Sequence, residues 1–213
     1  MKIGILGSGV VATTLAEGFL QQGHAVTLGT RHTSKLTEWQ RDHHQASLGS
    51  FAQAAQFGEV LVLSVKGSAA SAALKEAGSA NLTNKVILDT TNPIADAAPV
   101  NGVLKFFTDI NKSLMESLQA EFPEARFVKA FNSVGAARMV QPKYSEGVPT
   151  MFICGNDEDA KKTVASLTQS LGWGVADMGN AEAARAIESL CMLWCILGFK
   201  NNEWTHAFKL LHK

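Results

Sequence analysis

Excess charge of one sign, paired cysteines, proline and long apolar runs are all scarce in this chain, and each scarcity removes a class of function. Nineteen Lys and Arg balance nineteen Asp and Glu, so no surplus of positive charge draws the protein to nucleic acid or to an anionic membrane. The three cysteines, Cys154, Cys191 and Cys195, have neither disulfide-framework nor zinc spacing. They read as small apolar residues in a reducing compartment, and no metal site is expected. No apolar run reaches the roughly 20 residues of a transmembrane helix. Gly4, Gly7, Ser8, Gly9, Thr13, Thr14 and Glu17 interrupt the first apolar stretch, which argues against a signal peptide and for a cytoplasmic protein. Only 5 prolines in 213 residues, 46% of them hydrophobic, fit a globular protein with a sizeable core. No repeat, low-complexity segment or linker divides the chain, so residues 1–213 are expected to form a single domain.

What is present is concentrated at the start. Ile3, Ile5 and Leu6 form a short apolar run, and Gly7-Ser-Gly-Val-Val-Ala12 follows as G-x-G-x-x-A. Leu15, Phe19 and Leu20 then recur at helical spacing before Gly23, a natural helix stop. Strand, glycine turn and helix in that order make a dinucleotide-binding βαβ unit. Gly7 permits the turn, Gly9 lets the backbone approach a pyrophosphate, and Ala12 keeps the helix close to the sheet. The free N–H groups of the helix N-terminus would receive the phosphates.

The end of the second strand, 24–29, selects the dinucleotide. A carboxylate there accepts from the ribose 2′-hydroxyl of NAD. This chain has Thr30 and Arg31 instead, with Lys35 a turn further on. A hydroxyl, a guanidinium and an ammonium would hold a 2′-phosphate, so NADP(H) is the expected cofactor.

Further strands are read at 47–50, 59–65, 85–89, 126–131, 149–154 and 174–177, with helices at 34–45, 51–58, 67–80, 109–120, 157–171 and from Ala181 onward. An irregular loop is expected over 95–108. The fold class is therefore α/β, a Rossmann-type doubly wound and mainly parallel eight-stranded sheet with short C-terminal helices in 181–213. The strand ends at Val65 and Asn92-Pro93 fall beside the glycine turn, where Asn92 could bond a cofactor amide or ribose. His43 and His44 point about 100° apart on a helix and do not converge on a metal. Lys129 has the chemistry of a general acid. It lies within a strand just before the site, where a structural ion pair or a snorkelling side chain serves equally well.

Ile5-Leu-Gly-Ser-Gly9, Gly29-Thr-Arg31 with Lys35, Asn92-Pro93, Lys129-Ala-Phe-Asn132, Ala136-Ala-Arg138, Ile153-Cys-Gly155 and Ile187-Glu-Ser-Leu190 occur together at family-like spacing. The set resembles the NADP oxidoreductases dependent on the deazaflavin coenzyme F420. It is also similar to the cytosolic NADPH-binding domain of the six-transmembrane metalloreductases. The resemblance implies NADPH at the glycine turn and coenzyme F420 or a flavin (FMN or FAD) over the nicotinamide. It assigns Ser8, Gly9, Val10 and Val11 to the pyrophosphate and Thr30, Arg31 and Lys35 to the 2′-phosphate. Val65, Asn92 and Ala136 fall to the ribose and nicotinamide, and Pro93 and Asn132 complete the candidate set. Asn132 departs from the histidine of the deazaflavin enzymes and follows the metalloreductase pattern. With Lys213 as the last residue, no membrane domain is expected to receive the electrons.

Hydride transfer between two bound rings needs positioning and water exclusion rather than a protein acid or base, so no catalytic side chain is assigned. The alternatives are a small-substrate reductase akin to the imine and β-hydroxyacid reductases, and a redox-sensing NADP-binding module. Ile187, Leu190, Leu193, Trp194 and Leu197 are read as one apolar side of the last helix. With Phe199, Trp204 and Phe208 they make the 181–213 segment heavily apolar, which predicts a homodimer built on C-terminal helices. The other expected partner is a small-molecule redox acceptor.

Overall fold

The computed structural model describes residues 1–211; His212 and Lys213, the end of the expected 181–213 segment, lie outside the described residues. Strand β1 (Lys2–Leu6) leads through the glycine turn into α1 (Val10–Gln21), and β2 (Ala25–Gly29) returns beside it. Then follow α2 (Thr37–Asp42), β3 (Ser47–Gly49), α3 (Phe51–Phe57), β4 (Val60–Leu63), α4 (Ala70–Ala77), α5 (Ser79–Leu82) and β5 (Val86–Asp89). The second half adds α6 (Leu114–Glu121), β6 (Arg126–Lys129), β7 (Thr150–Ile153), α7 (Glu158–Ser170), β8 (Gly174–Asp177) and α8 (Ala184–Asn201). Six strands form a parallel sheet in the order β3-β2-β1-β4-β5-β6. Its centre is apolar on both faces, as crossover helices require. Along β4, Val60 and Val62 face the α1 side, while Leu61 and Leu63 face the side of α3, α4 and α6.

All eight expected strands exist, but they do not make one sheet. β7 and β8 pair only with each other. Strand β6 stops at Lys129 because the chain turns at Phe131, whose φ is +58°. β7 therefore meets β6 through a single antiparallel bridge, Lys129 to Cys154. The helix expected over 109–120 begins at Leu114, set by a capping box: the Ser113 hydroxyl accepts from the Glu116 N–H, and the Glu116 carboxylate accepts from the Ser113 N–H. The expected loop over 95–108 carries a loose antiparallel hairpin, with bridges Ile94–Phe106 and Val100–Val103.

The last helix also differs from its sequence reading. Ile187 and Trp194 are buried, while Leu193 and Leu197 lie on an exposed face at 54% and 38%. From Asn202 to Leu211 the chain is not helical. It runs along the edge of β7, where Thr150 N–H donates to Phe208 O and Leu210 N–H to the Thr150 hydroxyl. Among the described residues no helix is long and apolar enough to cross a membrane.

Candidate functional site

Strand order reverses between β1 and β4, and there a cleft of about 560 Å³ opens at the carboxyl ends of the strands. Such a switch point is where open α/β sheets bind ligands. Ser8, Gly9, Val10 and Val11 form one wall, Arg31 stands at the β2 end, and Val65 and Asn92 lie across from them.

Two glycines of the turn do different work. A Cβ on Gly7 would sit 2.2 Å from the Ser64 carbonyl oxygen, and the residue has φ +152°, so the join between β1 and β4 demands glycine. Gly9 is the reverse case. Its φ of −84° suits any residue, and a Cβ there would meet nothing within 4 Å. The protein leaves the space above Gly9 free at the N-terminus of a 12-residue helix, the arrangement that admits a phosphate. Ala12 is fully buried against that turn.

Arg31 and Lys35 are exposed, and none of the ion pairs among the described residues includes either. Thr30 is buried and its hydroxyl accepts from the His32 N–H at 3.2 Å, which fixes the loop carrying Arg31. Pro93 is buried, and neither Ala136 nor Asn132 lines the cleft. Asn132 is 4% exposed. It works through Asn92: the Asn132 amide donates to Asn92 Oδ1 at 3.0 Å and to Ile187 O at 2.8 Å, while the Asn92 amide donates to Asn132 O at 2.8 Å. Asn92 thus reaches the cleft in a fixed orientation.

The cleft is also lined by Thr90 and Thr91, at the strand end expected there, and by Ser64, Lys66, Gly67, Ala69, Ile94 and Asp96, which sequence reasoning missed. The Lys66-Gly67 pair directly after a strand was the available signal. A Cβ on Gly67 would fall 1.9 Å from Asn92 O, so the β4 and β5 turns touch there. The others carry no pattern of their own and depend on the register of parallel strands.

Beneath the cleft lies a fully buried Lys129. Its Nζ is 2.6 Å from Asp89 Oδ2 and 2.9 Å from Glu188 Oε1, and it donates to Thr91 O at 2.7 Å. Burial works to lower the ammonium's pKa, but the two carboxylates outweigh it and hold it above the ordinary lysine value. Glu188 also accepts from the Leu114 and Met115 N–H groups at the start of α6. Lys129 is therefore a structural ion-pair centre that sets the Thr90–Asn92 edge of the cleft. All three cysteines are buried, and burial pushes the Cys154 thiol up to about 12.

A glycine turn at the switch point of a β3-β2-β1-β4-β5-β6 sheet defines a Rossmann-type, dinucleotide-binding class of protein. Residues 2–93 match the family described as NADP oxidoreductase, coenzyme F420-dependent. A solved structure from Arthrobacter sp. FB24, provisionally named an F420-dependent NADP-reductase, is 34% identical over the whole of both chains and superposes with a TM-score of 0.92. The F420-dependent NADP reductase of Methanocaldococcus jannaschii is 28% identical over 216 residues, covering 94% of this chain and 93% of that one. Metalloreductase STEAP3 of Rattus norvegicus is 29% identical over 190 residues, 89% of this chain. The match spans 36% of the metalloreductase's length. The chain belongs to the coenzyme F420-dependent NADP oxidoreductase family.

Proposed function

We propose that this cleft binds NADP(H) and that the protein catalyses hydride transfer between it and a flavin or deazaflavin acceptor of the coenzyme F420 type. The observation that carries the dinucleotide part is the free space over Gly9, placed in one cleft with the ion-pair-free Arg31. In this reading Ser8, Gly9, Val10 and Val11 meet the pyrophosphate. Thr30 holds the loop from which Arg31 and Lys35 reach the 2′-phosphate. Val65 lines the ribose side, and Asn132 with Ile187 O holds the Asn92 amide toward the nicotinamide end. NADPH, when bound, supplies the hydride. The ionisable side chains lining the cleft are Arg31, Lys66 and Asp96. Lys66 and Asp96 pair at 3.6 Å and are each about 80% exposed, so neither is a buried acid or base. Catalysis by positioning is consistent with that lining. The acceptor class rests on family membership and on the names of the two F420-dependent relatives.

Replacing Arg31 tests the cofactor assignment. Arg31→Ala should weaken NADPH binding about ten- to a hundredfold, the worth of one charge-assisted hydrogen bond of about 1.5–3 kcal/mol, and leave NADH binding nearly unchanged. A titration showing equal losses for both cofactors would refute it.

The acceptor ring needs a second wall, and the outer face of α8 supplies a means of building one. Leu193 and Leu197, one helical turn apart, are 54% and 38% exposed. A helix apolar on both faces is covered on both. We infer that a second copy of the chain covers it, giving a homodimer. Light scattering should return twice the chain mass at micromolar concentration, and Leu193→Glu should lower it. A stable monomer with full activity would overturn the dimer.

A further inference from the structure

One hydroxyl in the cleft wall has no hydrogen-bond partner among the described residues. Ser64, the residue after β4, lines the cleft, is 8% exposed, and its Oγ makes no hydrogen bond. Its position is not free to change. The Ser64 N–H donates to Leu6 O at 2.9 Å, and its carbonyl packs against Gly7. Alternation along β4 turns Ser64 to the α1 side, like Val60 and Val62. The neighbouring hydroxyls are already engaged: Thr90 Oγ1 donates to Leu63 O and Thr91 Oγ1 to Asp89 Oδ1. A buried hydroxyl without a partner destabilises the state that contains it, so serine at this position needs an explanation from outside the protein.

Sheet order says which part of a dinucleotide could supply the partner. β2, with Arg31, lies on one side of the β1 glycine turn, and β4, with Ser64, on the other. If the 2′-phosphate is at β2 and the pyrophosphate at β1, then β4 faces the nicotinamide half. We propose that Ser64 is a cofactor-binding residue whose hydroxyl hydrogen-bonds NADP(H) on the nicotinamide side of the pyrophosphate. The proposal rests on the NADP(H) reading of the cleft.

The test compares wild type with Ser64→Ala and Ser64→Cys, the latter nearly isosteric but a weak hydrogen-bonding group. Thermal unfolding is measured without ligand, and binding is titrated with NADPH and with adenosine 2′,5′-bisphosphate, which lacks the nicotinamide half. Both variants should melt at or above the wild-type temperature. They should bind NADPH about three- to tenfold more weakly, the worth of one ordinary hydrogen bond, and the bisphosphate unchanged. Lower melting temperatures with unaltered NADPH affinity would overturn the proposal alone, placing the hydroxyl's partner within the protein. An equal loss for the bisphosphate would overturn it by moving the contact to the adenosine side. Wild-type protein that binds neither probe would instead overturn the NADP(H) reading, and the proposal with it.

Discussion

Gly9→Val is expected to abolish NADPH binding while leaving the protein folded. Gly9 is the N-cap of α1 with extended backbone, φ −84° and ψ 177°, a conformation valine adopts without strain. Its Cβ would touch no protein atom within 4 Å. The folding cost is therefore the small one of a poorer cap, about 1 kcal/mol or less. Binding suffers far more, because the added carbons occupy the free space over Gly9 at the α1 N–H groups. Losing two charge-assisted hydrogen bonds of about 1.5–3 kcal/mol each implies at least a hundredfold weaker binding. Circular dichroism with calorimetric titration separates the two effects. Normal NADPH affinity in the folded variant would place the pyrophosphate elsewhere. Gly7→Ala should fail in the opposite way, on folding, because its Cβ would collide with Ser64 O at 2.2 Å.

A large stability loss is also expected from Lys129→Met. The substitution keeps most of the side chain's volume but leaves the Asp89 and Glu188 carboxylates buried together, and breaking such a site costs about 3–5 kcal/mol. The sign of the pH dependence follows from the raised lysine pKa. A lysine whose folded pKa exceeds its unfolded value contributes fully below the unfolded value, about 10.5, and loses that contribution as pH rises through the folded one. The lysine's own contribution should thus be complete at neutral pH and be lost in strong alkali. Denaturant titration at neutral pH showing a loss under about 1 kcal/mol would contradict the assignment.

Lys129 also shows where sequence reasoning stops. Its strand was legible from the Arg126–Phe131 run, but its partners lie 40 residues before it and 59 after it in sequence, at Asp89 and Glu188. No local pattern joins them. The glycine turn, by contrast, was legible because strand, turn and helix are contiguous, and the same holds for Thr30, Arg31 and the β2 end. Asn132 could be marked by resemblance, yet its bond to Asn92 across 40 residues appears only in three dimensions. The sheet was over-counted for a related reason. Eight strand-like segments are visible in the sequence, whereas the left-handed Phe131 that ends β6 and separates the β7–β8 pair is not. The faces of α8 were merged because Ile187, Leu193, Trp194 and Leu197 are all apolar, and only packing shows which of them turn outward.

The measurement that bears most directly on the account is NADPH oxidation by the purified protein, followed by absorbance with coenzyme F420, FMN and FAD offered in turn as acceptors. At least one of them should be reduced with NADPH as donor, NADH should be a much poorer donor, and Gly9→Val should be inactive. Tight NADPH binding with no turnover on any deazaflavin or flavin would contradict the proposed reaction and leave an NADP-binding protein with a different acceptor or none.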